Sequence, residues 1–209
     1  MISDNPISFS TNNGKIAKAD IDSALQKLIE GNKRYLNGKS IHPNQTESHR
    51  SEIANNPRPF AIILSCSDSR VPPEIIFDRG IGDLFVVRNA GNILNDEVLG
   101  SIEYAVDFFG IKLIVVMGHS RCGAVSAAVQ GGEFPGHIKR LVESIMPAVE
   151  KAKCKNGDIV QNAVNENIID VVEKLKFSEP ILKQLVNLGK INFVGACYDM
   201  DNGNVTFRY

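Results

Sequence analysis

Two short stretches of this chain concentrate the side chains able to do chemistry: Cys66-Ser67-Asp68-Ser69-Arg70 and His119-Ser120-Arg121-Cys122-Gly123. Each follows directly on a short apolar run, residues 60–65 and 111–118. Two thiolates and one imidazole make a donor set that zinc selects. Soft sulfur disfavours magnesium and calcium, and His-x-x-Cys spacing lets both side chains of one turn reach the same ion. By itself His-x-x-Cys is a weak signal, because a buried cysteine is commonly just a small apolar residue. Its pairing with Cys66 at the end of another apolar run strengthens it. In the first stretch a carboxylate also stands beside the thiolate, with a guanidinium within reach of that carboxylate, and a purely structural metal site has no use for the arginine.

Other chemistries fit these residues less well. Gly118-His119-Ser120-Arg121-Cys122 falls one residue short of the hydrolase elbow G-x-S-x-G, since the second glycine is Gly123, and the only later histidine, His137, is too close for a separate strand-end loop. A thiol phosphatase would need a longer loop than Cys66–Arg70 provides. A zinc-stabilised binding module without catalysis would predict a closed four-ligand site. Cys154 and Cys197 have no partner at metal spacing. His42, His49 and His137 read as loop or helix-start residues, and the lysines of 151–155 as a solvated face.

The elements that must position the two stretches follow from patterning. With 209 residues, 43% apolar and 22% charged, the chain is long enough for one domain with its own core. A balance of 23 basic against 24 acidic residues gives no field to draw nucleic acid or an anionic membrane. Four scattered cysteines make no disulfide framework and favour a reducing, cytoplasmic setting. The apolar runs fall far short of the roughly 18 residues of a membrane span, and the polar start does not read as a signal peptide.

Runs 60–65, 84–88, 111–118 and 191–197 are apolar on both faces, as buried parallel strands are. Helical patterns occupy 96–109, 123–129, 136–151, 159–175 and 179–188, with a shorter one at 46–54. Residues 1–19 read as an N-terminal arm. Asp20 is then the expected cap of a helix carrying Ile21, Leu25, Leu28, Ile29 and Leu36 on one face and stopping at Gly38. Asp201-Asn202-Gly203-Asn204 predicts a turn into an antiparallel edge strand at 205–207. The whole is a single α/β domain over 20–209, a mostly parallel central sheet flanked by helices. In such sheets ligands bind at the carboxyl ends of strands, where both chemical stretches lie.

The two stretches, with Phe85-Val86-Val87-Arg88-Asn89-Ala90-Gly91-Asn92 and Ser101-Ile102-Glu103-Tyr104-Ala105-Val106, make residues 25–209 resemble the β-class carbonic anhydrases. The resemblance implies one Zn²⁺ per chain held by Cys66, His119 and Cys122, with the fourth position open to water or filled by Asp68. It implies reversible hydration of CO2 to bicarbonate and a proton through a zinc-bound hydroxide. Arg70 would compete for Asp68 through a bidentate pair, so that Asp68 and Arg70 gate the fourth position, with Asp68 coordinating at lower pH. Val71, Phe85 and Tyr104 match the family's apolar substrate pocket at a subunit interface. Gly123 opens a helix whose N–H groups could meet bicarbonate. The implied assembly is a homodimer or homotetramer, with the helix from Ile21 as an arm over a neighbour. Two positions depart from the plant-type pattern, Pro57 for a glutamine and Ala90 for a valine, and Asn56 is the candidate to replace the glutamine. No tryptophan is present, which argues against the bicarbonate control that uses one.

Overall fold

Aliphatic and β-branched runs form the sheet, and loops rich in Gly, Pro and Asn turn the chain between them. The computed structural model of the chain describes residues 14–208. A five-stranded sheet runs in the order β2-β1-β3-β4-β5, built from β1 (Ala61–Cys66), β2 (Leu84–Asn89), β3 (Leu113–His119), β4 (Asn192–Tyr198) and β5 (Val205–Arg208). The first four are mutually parallel, and β5 pairs antiparallel with β4 through the turn that Asp201–Asn204 predicts.

Successive side chains of a strand point to opposite faces, so each central strand feeds two cores. Ile62, Leu64, Ile114 and Val116 face one core with α4 (Asp96–Phe109), α5 (Gly123–Gln130), α6 (Ile138–Ala152), α7 (Ile159–Lys176) and α8 (Ile181–Asn187). Ala61, Ile63, Leu113, Val115 and Met117 face the other, covered by α1 (Gly14–Leu36) and α3 (Pro73–Ile76). The helix limits have local causes. Asn95 caps α4 by accepting the Val98 N–H, Asp158 caps α7 by accepting the Gln161 N–H, and Thr46 caps α2 (Glu47–Ile53) by accepting the His49 N–H. No helix among the described residues is long and apolar enough to cross a membrane.

Three expectations need correction. The first helix begins at Gly14, not after Asp20, because Ala17 extends the buried stripe of Ile21, Ala24, Leu25 and Leu28 by one turn; Asp20 pairs with Lys112 instead of capping. Of the expected arm, residues 1–13 lie outside the described residues and 14–19 are helix. That stripe packs on the chain's own sheet, so its apolar face is covered within the subunit rather than by a neighbour. The run at 84–88 is an edge strand, half-buried along its length; composition alone does not separate an edge from a centre. Two elements had no periodic signal: α3, which starts at Pro73, and a single 3-10 turn at Ala90–Asn92.

One buried ionic clasp ties the end of α1 to α3. The Asp78 side chain is fully buried, accepts from Arg34 Nε at 2.5 Å, and takes the N–H groups of Ile41 and His42 at 3.1 and 3.0 Å. Burial alone would raise its pKa, but the Arg34 guanidinium and the two amides outweigh that and hold the carboxyl below its ordinary range. A carboxyl depressed by folding adds stability above its unfolded pKa and loses it as pH falls through the folded value. Asp78→Asn is therefore expected to cost about 3 kcal/mol at pH 7, and urea titrations should show the gap to the parent narrowing below about pH 4.

Candidate metal centre

The strand order 2-1-3-4-5 reverses direction between β1 and β3, and the crevice at that switch point is where open α/β sheets bind ligands. Cys66 is the last residue of β1 and His119 the last of β3, on neighbouring strands whose register pairs Ser65 with Met117. Cys122 is the N-cap of α5, three residues on. One donor atom from each lies within 4.8 Å of the others, and all three residues are buried. The two sulfurs are 3.9 Å apart. Tetrahedral zinc with Zn–S bonds of about 2.3 Å sets two thiolates roughly 3.8 Å apart.

The imidazole is consistent with that fit. His119 is fully buried, yet its Nε2 has no hydrogen-bond partner. Nδ1 instead sits 2.9 Å from the carbonyl of Ser120 and 3.2 Å from Sδ of Met200. Donation from Nδ1–H leaves the Nε2 lone pair for an ion, as outer partners do for metal-bound histidines.

Backbone amides prepare the sulfurs for negative charge. The Gly91 N–H donates to Cys66 Sγ at 3.3 Å, and Asn167 Nδ2 on α7 holds the Gly91 carbonyl at 2.8 Å. Donation from Cys122, aided by His119 and the Gly91 amide, pulls the Cys66 thiol well below the ordinary range against the cost of burial. Sharing its proton with Cys66, together with burial, pushes Cys122 up, while the Val125 and Ala124 amides at the start of α5 oppose that rise. A cation bound between the two sulfurs would displace the proton they share.

Asp68 is not part of this cluster. Its carboxylate is held in a bidentate pair by Arg70, Nε to Oδ1 at 2.9 Å and Nη2 to Oδ2 at 2.8 Å, with the Arg70 N–H adding 3.0 Å to Oδ1. Those bonds, chiefly the guanidinium, keep Asp68 ionised well below the usual carboxylate range. Arg88 fixes the turn beneath, donating from Nε to the Cys66 carbonyl at 3.0 Å and from Nη2 to the Asp68 carbonyl at 2.6 Å.

The sequence profile of the family described as carbonic anhydrase matches residues 61–205, more than half of the chain and both halves of the site. The chain belongs to the β-class carbonic anhydrases. Carbonic anhydrase 2 of Mycobacterium tuberculosis is 38% identical over 190 residues, covering 89% of this chain and 92% of that protein. The carbonic anhydrase of Synechococcus elongatus is 31% identical over 198 residues, covering 87% and 70%. Among solved structures, the β-carbonic anhydrase CcaA superposes with a TM-score of 0.69 at 29% identity, over 88% of this chain and 94% of that one. A tetrameric β-carbonic anhydrase from Sordaria macrospora shares the fold with a TM-score of 0.71 at 22% identity, over 88% and 96%.

The residues matched to this family's pocket are scattered in the single chain. Val71 is fully buried in the core under α1. Phe85 is half-buried on edge strand β2, with its ring 6.0 Å from that of Phe109. Tyr104 is exposed on α4, stacked on Phe108 at 4.5 Å and edge-on to Phe109 at 5.6 Å. A Cβ at Gly123 would meet nothing within 4 Å, so there is open space beside the first turn of α5.

Gly91, Asn167 and Met200 support the centre but were not singled out as site residues. Only Gly91 lay in a motif, and Asn167 and Met200 look like ordinary helix and turn residues until the chain folds. Gly91 has φ 75°, and a Cβ there would stand 2.8 Å from Ile145 and 3.2 Å from the Ala124 methyl. Gly91→Ala should therefore strain the backbone and shift the amide off Cys66. The expected result is about tenfold weaker zinc binding in a chelator competition; unchanged affinity would remove the amide from the site.

Proposed function

We propose that the chain hydrates CO2 to bicarbonate and a proton, with one Zn²⁺ per chain held by Cys66 Sγ, His119 Nε2 and Cys122 Sγ. The observation that carries this reading is the Asp68–Arg70 pair. It leaves three buried donors and withholds the one nearby carboxylate that could close the set, and three protein ligands with an open fourth position distinguish catalytic zinc sites from structural ones. Bound there, zinc would supply the Lewis acidity that makes water a nucleophile near neutral pH.

The chain's own groups do the rest. Arg70 holds Asp68 ionised and away from the fourth position. In that state Asp68 accepts a hydrogen bond from the attacking oxygen and orients it toward the carbon of CO2. Were Arg70 to release it, the same carboxylate could take the fourth position and exclude water, so the pair acts as a gate. Arg88, by fixing the Cys66 and Asp68 carbonyls, keeps the turn that carries both roles in place.

The same reading includes assembly with further copies of this chain. Phe108 is 70% exposed and Tyr104 47%, next to an edge strand with one unpaired side. The described cysteines are all free, which suits a reducing, cytoplasmic compartment.

Asp68→Asn is expected to keep about one zinc per chain and lose on the order of 100-fold in stopped-flow CO2 hydration; full turnover would take Asp68 out of the mechanism. A protein that binds zinc without activity would favour the binding module. Phe108→Asp should lower the mass found by sedimentation, and an unchanged mass would place the subunit contact elsewhere.

A further inference from the structure

The His119 ring is held from outside the metal centre by a turn that belongs to another part of the chain. Residues 199–204, between β4 and β5, form a closed network of their own. Asp199 accepts the Asp201 N–H and the Asn202 side-chain amide at 2.8 and 2.7 Å, and the Gly203 N–H donates to the Asp199 carbonyl at 2.8 Å. This turn and the last residue of β4 grip the segment after His119 at three points. The Ser120 N–H donates to the Tyr198 carbonyl at 2.9 Å, the Met200 N–H donates to Ser120 Oγ at 2.9 Å, and Arg121 pairs with Asp201. A fourth contact reaches the ligand itself, Met200 Sδ at 3.2 Å from His119 Nδ1.

On its other side the turn is fastened to the N-terminal helix by one buried amide. Asn32 is 3% exposed. Its Nδ2 donates to the Gly203 carbonyl at 3.0 Å and to the Ile76 carbonyl at 3.2 Å, and its Oδ1 accepts the Val205 N–H at 3.0 Å. The Tyr35 and Tyr198 hydroxyls meet at 3.3 Å beside it. Three elements that share no sequence neighbourhood, α1, α3 and the β4–β5 turn, therefore converge on Asn32.

We propose that Asn32 and Met200 are positioning residues for His119: the N-terminal helix sets the orientation of the metal ligand through the 199–204 turn, with Met200 as the side chain that touches the ring. Nδ1–H is shared between the Ser120 carbonyl and the thioether, so the ring is fixed about its Cβ–Cγ axis by two acceptors from different turns, one after β3 and one after β4. The hydrogen bonds within the turn and the buried contact of Asn32 with Gly203 carry a displacement of α1 to that second acceptor. Asn32 touches neither metal nor substrate and acts only through this route.

The proposal rests on the metal reading above, and the test separates the two. Zinc-loaded, full-length parent protein, Met200→Leu, Asn32→Ala and the double variant would be compared for the rate of zinc transfer to a chromophoric chelator, with thermal unfolding recorded on the same samples. Each single variant is expected to release zinc about tenfold faster. The double variant should be no faster than the faster single, because both changes cut one route. If Asn32→Ala does not fold, Asn32→Asp takes its place, keeping the acceptor for the Val205 N–H while losing the donor, and the same faster release is expected. A parent-like rate from Met200→Leu, an Asn32 variant with lowered Tm but unchanged release, or multiplicative rates in the double variant would each overturn the proposal. A parent that takes up no zinc would overturn the metal reading and this inference with it.

Discussion

Everything in this structure depends on bringing two sulfurs and an imidazole nitrogen, all on buried residues, within 4.8 Å of one another. Two buried thiols at 3.9 Å cannot both ionise without a cation, and a buried nitrogen with no partner carries a desolvation cost with nothing to offset it. Both are liabilities for a core and assets for a metal site. The fold accepts them because β1 and β3 are adjacent and parallel, so that their carboxyl ends deliver Cys66 and His119 to one crevice, and α5 starts there with Cys122 as its cap.

Around this centre the polar contacts are arranged by the charge each donor must carry. Cys66 receives an amide from Gly91, Cys122 faces the first amides of α5, and His119 gives its Nδ1 proton away so that Nε2 is left bare. Asp68 is the exception, a carboxylate next to the site that bonds to Arg70 instead. That arrangement separates binding from gating. Three groups are fixed by buried contacts, while the fourth is held by a guanidinium on the surface, where exchange of partners costs least.

The support comes from both sides of the sheet. Asn167 on α7 reaches Gly91 from one face, and Asn32 on α1 reaches the β4–β5 turn from the other. Each is a buried side-chain amide satisfying backbone groups of an irregular segment, the kind of segment whose shape no helix or strand ladder would otherwise enforce. The helices that bury apolar surface thus also hold the loops that carry the chemistry.

The sequence by itself determined the strand and helix periods, the α/β class and the donor types, because these are local: alternation, capping residues and spacing within one turn are written in neighbouring positions. His119 and Cys122 were legible for that reason and Cys66 because it too ends an apolar run, and so was the helix at Asp96–Phe109, bounded by Asn95 and Gly110. Only the tertiary structure decided that β2 is an edge, that the greasy stripe of α1 from Ala17 to Leu28 covers its own sheet, and that Val71 lies in the core while Tyr104 stays exposed. It also decided that Gly91, Asn167, Met200 and Asn32 belong to the support of the site. Their roles consist of hydrogen bonds spanning 25, 76, 81 and 171 residues of chain, and pairings at that distance leave no periodic or spacing signal in the sequence.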